Sequence, residues 1–218
     1  MINIAVDGPA GAGKSSIAKA VAAEIGFIYV DTGAMYRSIA LFALENGLNN
    51  EQLIQNLGKI DVSLKYVDKT QHILLNGRDV SELIRTPEVS MNASRVSAIP
   101  EIRDFLFGLQ KKIASENNII MDGRDIGTVV LPNADLKVFL TATAEERSNR
   151  RFKEMTDKSV SYEQVLKDIK QRDYNDMNRE VAPLKQAEDA VLLDTTDMNV
   201  EESKEKLKSM IAEVCKGL

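Results

Sequence analysis

Five short apolar runs punctuate the chain, at residues 2–6, 27–30, 119–121, 136–140 and 191–193. Each is followed by polar or glycine-containing residues. Between them the period changes from that of a strand to that of a helix. Ile17, Ala18, Val21, Ala22 and Ile25 fall on one helical face, as do Leu207, Met210, Ile211, Val214 and Cys215. Short apolar strands alternating with amphipathic helices predict an α/β fold: a parallel sheet with both faces covered. On this pattern Cys215 is a packing residue, and the eight methionines are core or gap filler.

Two stretches break the rhythm. In residues 61–80, Val62, Leu64 and Tyr66 alternate with Ser63, Lys65 and Val67, and Asn76-Gly77 is a strong type I′ hairpin signal. A small antiparallel insertion is expected over about residues 59–92. Its Arg78-Asp79 reads as turn chemistry and its His72 as structural. Residues 152–175 read as helical, highly charged and partly exposed, with Tyr162, Val165 and Ile169 as a thin apolar stripe. The expected division is therefore a core (1–58, 93–145, 180–218), the insertion (59–92) and a helical lid (146–179).

In open α/β sheets, ligands bind beyond the carboxyl ends of the strands. Those ends read Asp7-Gly8, Asp31-Thr32-Gly33, Asp122-Gly123-Arg124-Asp125, Thr141 and Asp194-Thr195-Thr196. The first continues as Gly8-Pro9-Ala10-Gly11-Ala12-Gly13-Lys14-Ser15, followed by Ser16, and fits G-x-x-x-x-G-K-[ST] at every defined position. A strand before it and a helix after it are the setting this motif needs. Its glycines let backbone N–H groups turn inward at a phosphate, and the helix N-terminus adds partial positive charge. Lys14 is expected to reach the β- and γ-phosphates of a nucleotide and Ser15 to ligate Mg²⁺.

Composition narrows the class. The 218 residues carry 28 Lys and Arg against 33 Asp and Glu, a net charge of -5, with 44% hydrophobic residues. That is a soluble globular balance, and an acidic chain does not predict a duplex nucleic-acid partner. One cysteine excludes an internal disulfide framework. No apolar run reaches the ~18 residues of a membrane span, and the N-terminus shows no secretory signal. A cytoplasmic protein is expected, and there the sequon at Asn92-Ala93-Ser94 has no meaning. No Asp has Gly three residues on and no Asn-Lys pair exists, which excludes a GTPase. One phosphate loop in a chain of this length points to a small-molecule kinase.

Further segments carry a resemblance. They are Asp31-Thr32-Gly33-Ala34-Met35-Tyr36-Arg37, Ile99-Pro100-Glu101-Ile102-Arg103, and Met121-Asp122-Gly123-Arg124-Asp125-Ile126-Gly127-Thr128. Later come Arg172-Asp173, Asp176-Met177-Asn178-Arg179 and Pro183-Leu184. Together, in this order, they resemble the bacterial cytidylate kinases, a family of nucleoside monophosphate kinases. The resemblance implies a phosphate-loop core with a five-stranded parallel sheet, a monophosphate-binding insertion and a lid. It implies a monomer that uses ATP, with Mg²⁺, to convert CMP or dCMP to CDP or dCDP.

Residue by residue, Asp31 and Thr32 suit a helix N-cap, and Thr32, Tyr36 and Arg37 are expected at the acceptor. Arginine suits a phosphate because its planar fork binds it bidentately. Asp122 ends a strand in a Walker-B-like setting suited to orienting Mg²⁺. Arg124 resembles the family's acceptor-phosphate arginine. Cytosine offers an amine donor where uracil offers a carbonyl, so the carboxylate of Asp125 would accept from one and repel the other. Arg103 and Ser94 would meet the cytosine O2 and N3 acceptors; this trio is carried by resemblance alone, as are Asp176 for the sugar and Arg179 for the acceptor phosphate. Arg147, Arg150 and Arg151 share one helical face, read either as a solvated basic face or as lid charge for the transferring phosphoryl group. The catalytic set expected is Lys14, Arg124, Arg147, Arg151 and Arg179. The lid tip, Met155-Thr156-Asp157-Lys158-Ser159, departs from the family in being short and lacking glycine.

Two other readings stay open on the residues alone. A kinase of a hydroxyl acceptor would want a carboxylate base, and Asp31 or Asp122 could serve. A non-catalytic ATP-binding regulator would use the insertion for docking and leave the strand-end arginines idle.

Overall fold

The computed structural model describes residues 1–67, 70–155 and 160–216. The first half of the chain runs β1 (Asn3–Asp7), α1 (Lys14–Ile25), β2 (Ile28–Asp31), α2 (Thr32–Glu45), α3 (Asn50–Gln55), β3 (Val62–Val67), β4 (Thr70–Leu75) and β5 (Arg78–Asp79). The second runs α4 (Pro87–Val96), α5 (Pro100–Glu116), β6 (Ile119–Gly123), β7 (Leu136–Thr141), α6 (Ala144–Glu154), α7 (Tyr162–Asn178), β8 (Val191–Asp194) and α8 (Val200–Lys216).

The five apolar runs form one parallel sheet in the order β2-β6-β1-β7-β8. Alternate residues of each strand enter different cores. Ile4, Val6 and Ile120 meet Ile17 and Val21 of α1 and Leu207 and Ile211 of α8. Ala5, Ile119 and Met121 meet Met35 and Ile39 of α2 and Ile102 and Leu106 of α5. Full burial of each large aliphatic side chain contributes roughly 1.5–3 kcal/mol, so the sheet is held from both sides.

The insertion is a three-stranded antiparallel sheet, β3-β4-β5. The Asn-Gly signal marks its second turn: Asn76 (φ 50°) and Gly77 (φ 78°) are both left-handed, with Leu75 opposite Arg78. That is the backbone a type I′ turn requires, and Asn-Gly supplies it at least strain. The turn before β4 lies outside the described residues. The apolar face of the insertion, Val62, Ile73 and Leu75, joins the same core as α2. His72 pairs with Asp79 at 2.7 Å, and Arg78 reaches Glu45 at the end of α2 at 3.0 Å.

Three expectations are corrected. The charged stretch 152–175 is two helices: α6 stops at Glu154 and α7 starts after Ser161, whose hydroxyl caps it by accepting from the Gln164 N–H. Val165 and Ile169 are buried, and Tyr162 sets its ring edge-on to Phe152 at 6.1 Å. Of the short tip without glycine, residues 156–159 lie outside the described residues. Cys215 is exposed: it follows Ser203, Leu207 and Ile211 at the same spacing of four, but it lies in the last turn of α8, beyond the last buried residue of the helix. The methionines divide as well: Met35 and Met121 are fully buried, while Met1, Met91 and Met177 are exposed. Among the described residues, no helix is long and apolar enough to cross a membrane.

Candidate active site

The parallel register brings the polar strand ends to one edge: Asp31 stands opposite Asp122, and Asp7 opposite Gly123. A cleft of about 560 Å³ opens there, lined by the phosphate loop, the start of α2, the end of β6, and arginines from α6 and α7. Gly8 shows why the loop needs glycine: at φ +146° a Cβ would stand 1.9 Å from the Leu140 carbonyl oxygen. The loop folds back on itself, with Lys14 Nζ donating to the Pro9 carbonyl at 2.7 Å. Burial, then the nearby Arg124 guanidinium, pushes the Lys14 pKa well below the usual lysine value. The loop therefore holds a cation in want of an anion, which is the electrostatic state a phosphate would relieve.

Beside it, the Ser15 hydroxyl donates to Asp122 Oδ2 at 2.6 Å, and the Tyr29 hydroxyl donates to Oδ1 at 3.2 Å. Burial and the Asp31 charge push the Asp122 pKa upward, so this carboxylate too is short of positive charge. A hydroxyl and a carboxylate at a phosphate loop are hard oxygen donors of the kind Mg²⁺ takes. Among the described residues no cluster of three His, Cys, Asp or Glu side chains could cage a metal. The donors fit an ion that draws its remaining ligands from nucleotide phosphates and water.

The acceptor side begins at the N-cap of α2. Asp31 accepts from the Ala34 N–H at 2.8 Å and from Arg37 Nη2 at 2.8 Å. The Thr32 hydroxyl is buried and donates to the Asp122 carbonyl at 2.7 Å. Arg124 donates from Nε to Asp176 Oδ2 at 2.9 Å and from Nη1 to the Gly123 carbonyl at 3.0 Å. Arg172 lines the same cleft, and its buried Nε has no hydrogen-bond partner among the described residues. Burial and Arg124 lower its pKa to about 10.

At the inner end, Asp125 is buried between two arginines. Arg103 Nη2 donates to its Oδ2, and Arg179 Nη2 to its Oδ1 at 3.2 Å. The Arg103 guanidinium lies over the Tyr36 ring, 5.9 Å from its centroid. Ser97 ties the group together: its carbonyl accepts from Arg103 at 3.3 Å, and its hydroxyl donates to the Ser94 carbonyl at 3.0 Å. Ser94, Arg103 and Asp125 thus converge, although Arg103 sits beneath the cleft wall rather than on it.

Arg147 departs from expectation. Its guanidinium is bidentate on Asp173 (3.1 and 2.7 Å) and also donates to the carbonyls of Ala10 (2.9 Å) and Ala142 (2.8 Å). With its side chain only 6% exposed, it braces the phosphate loop from behind and is absent from the cleft wall. Arg150 and Arg151 do line the cleft, Arg150 holding the Thr195 carbonyl.

Sequence reasoning assigned no role to Arg172, Tyr29, Ser97 or Asp7. Arg172 belongs to the Arg172-Asp173 segment that carries the family resemblance, so its signal is present in the sequence. Tyr29 was hidden inside an apolar run. Asp7 accepts the N–H groups of Ile126 (2.8 Å) and Gly127 (2.7 Å), a contact across 119 residues that no local pattern announces.

The sequence model of the family described as cytidylate kinase matches residues 4–213. A cytidylate kinase of Caldicellulosiruptor bescii is 51% identical over 99% of this chain and 98% of its own. One of Carboxydothermus hydrogenoformans is 50% identical over 96% and 97%. Among solved structures, a shikimate kinase from Bacteroides thetaiotaomicron aligns with TM-score 0.51 over 97% of this chain and 98% of that one. At 12% identity that likeness speaks to the fold alone. With the family model spanning almost the whole chain and half the residues shared with such relatives, the chain belongs to the cytidylate kinase family.

Proposed function

We infer that the protein transfers the γ-phosphoryl group of ATP to CMP or dCMP, giving ADP and CDP or dCDP. The observation that carries the acceptor reading is the buried Asp125, held by Arg103 and Arg179 at the inner end of a cleft whose outer wall is the phosphate loop. A buried carboxylate with that orientation accepts from the cytosine amine and repels the uracil carbonyl, and a site built for one edge rejects an analogue that leaves its groups unpaired.

In the reaction, an oxygen of the CMP phosphate forms a bond to the γ-phosphorus of ATP. The bond from that phosphorus to the β–γ bridging oxygen breaks, and its electron pair leaves with ADP. The acceptor phosphate is already ionised near neutral pH, its second pKa being about 6, so no general base is required. The only histidine, His72, is accordingly remote, paired with Asp79 in the insertion. Positioning and charge carry the catalysis. Lys14 and the loop amides take the ATP phosphates. Arg37, Arg124 and Arg172 take the acceptor phosphate, while Asp176 and Arg179 hold the sugar and phosphate. Arg151 faces the cleft from α6 and adds charge near the transferring group. Ser15 and Asp122 would hold Mg²⁺, which when bound neutralises charge on the β- and γ-phosphates.

We read residues 59–92 as the acceptor insertion and 146–179 as the lid that excludes water on closing. The protein is proposed to act as a cytoplasmic monomer. The test is ADP release with ATP and Mg²⁺ against CMP, dCMP, UMP, AMP, GMP and no acceptor. Strong stimulation by CMP and dCMP alone is expected. Equal use of UMP would remove Asp125 from base reading, and turnover without a monophosphate would return the hydroxyl-acceptor reading.

A further inference from the structure

Tyr29 lies within the apolar strand β2 and is only 8% exposed. Its ring packs in the core layer of Val21 and Ile120. A phenylalanine would serve that packing equally well, so the hydroxyl needs its own account. It donates to Asp122 Oδ1 at 3.2 Å, while the Ser15 hydroxyl donates to Oδ2 at 2.6 Å. One donor on each oxygen fixes the carboxylate plane, because rotation about Cβ–Cγ would break both bonds. Tyr29 is itself held from the other side, its carbonyl accepting from the Tyr66 hydroxyl of β3 at 3.2 Å.

We propose that Tyr29 is a positioning residue for Asp122: its hydroxyl anchors Oδ1 so that Oδ2 is presented to Ser15 and to the divalent cation that accompanies the ATP phosphates. The proposal rests on Ser15 and Asp122 being the cation-facing pair. Groups that orient a ligating carboxylate set the affinity of the ion it meets, because a freely rotating carboxylate must be ordered at the moment of binding. Ser15 anchors only the oxygen that is to be shared. Tyr29 anchors the other, and so keeps its grip when Oδ2 changes partner.

The experiment is thermal unfolding of the whole chain at fixed ATP with MgCl₂ titrated. It compares the unsubstituted protein with Tyr29→Phe, Tyr66→Phe and Asp122→Asn. Tyr29→Phe is expected to raise the MgCl₂ concentration for half-maximal stabilisation by about tenfold, while the shift given by ATP without Mg²⁺ stays unchanged. Tyr66→Phe, which loosens the same residue without touching Asp122, should lower Tm and leave the Mg²⁺ midpoint in place. The double variant Tyr29→Phe with Asp122→Asn should move the midpoint no further than Asp122→Asn alone. Should Tyr29→Phe prove unstable, Tyr29→Leu keeps an apolar body without the hydroxyl and must give the same displacement. An unchanged midpoint in Tyr29→Phe, beside a shifted one in Asp122→Asn, overturns the proposal. An unchanged midpoint in Asp122→Asn removes the cation-facing pair itself, and the proposal with it.

Discussion

Asp125 carries the most chemistry per atom in this protein. Its two oxygens each meet a different arginine, and all three side chains are at most 8% exposed. The buried charge is thus matched, and its removal would leave two guanidinium groups competing for too few acceptors. Asn keeps the shape and one acceptor oxygen but reverses the other position to a donor. Asp125→Asn is expected to lower kcat/KM for CMP much more than for UMP, so that the ratio falls at least about tenfold, the loss of one charge-assisted hydrogen bond. Steady-state kinetics with both acceptors checks it, and an unchanged ratio would remove Asp125 from discrimination. Folding should suffer as well, by about 3–5 kcal/mol, because breaking a buried pair strands its partners. Activity must therefore be read at a temperature where the variant is folded. The residues around Asp125 were named from the sequence by likeness to a family. Their pairing was not legible there, since Arg103 and Arg179 lie 22 and 54 residues away from it.

Among the elements, α6 and α7 show why helical periodicity alone misreads arginine. Arg147, Arg150 and Arg151 share a helical face, and the pattern makes them equals. The packing separates them, turning Arg147 inward to join Asp173 of α7, the phosphate loop at Ala10 and Ala142 just after β7. Arg147→Met keeps the length and removes the fork. It should lower Tm and raise KM for ATP, as the loop loses its brace, while kcat falls far less than in Lys14→Ala. Asp173 is 13% exposed on its side chain, so most of the damage is its stranded charge. Adding Asp173→Asn should recover part of the Tm, a coupling that a thermal double-mutant cycle measures. Arg150 and Arg151 of that face line the cleft. The pattern could not say which charge faces in, because that depends on how two helices pack.

For the whole molecule, stability depends on the protonation of a buried carboxylate. Asp7 accepts two backbone N–H groups from the turn after β6, yet burial outweighs them and raises its pKa to about 6. The ordinary aspartate value, taken for the unfolded chain, is 3.8. Between these values the folded chain holds a proton that the unfolded chain releases. Stability from this group is therefore greatest below about pH 4, declines as pH rises to about 6, and is flat above. The full change is about 3 kcal/mol for a group so completely buried. Asp122 acts in the same direction. Asp7→Asn should thus flatten the decline without abolishing it, as urea midpoints at pH 4.5 and 6.5 would record. A decline as steep as that of the unsubstituted chain would show that Asp7 is not its source. The insertion belongs to this same scale. It reads as a separate unit along the chain, yet Ile73 and Leu75 enter the core of α2, so it folds with the body that carries the phosphate loop.

Local chemistry was enough for the parallel sheet, the phosphate loop and the Asn76-Gly77 turn. A short continuous apolar run, a row of inward N–H groups and a pair of left-handed residues each act over a few positions, and each is written where it acts. Packing alone decided the rest. It turned Arg147 from a catalytic charge into a brace, left Cys215 exposed in the last turn of α8, and set Tyr29, buried in an apolar strand, against Asp122, 93 residues away. Such contacts depend on register between strands and on the angle between helices. Those are properties of the folded whole, and no short stretch of sequence carries them.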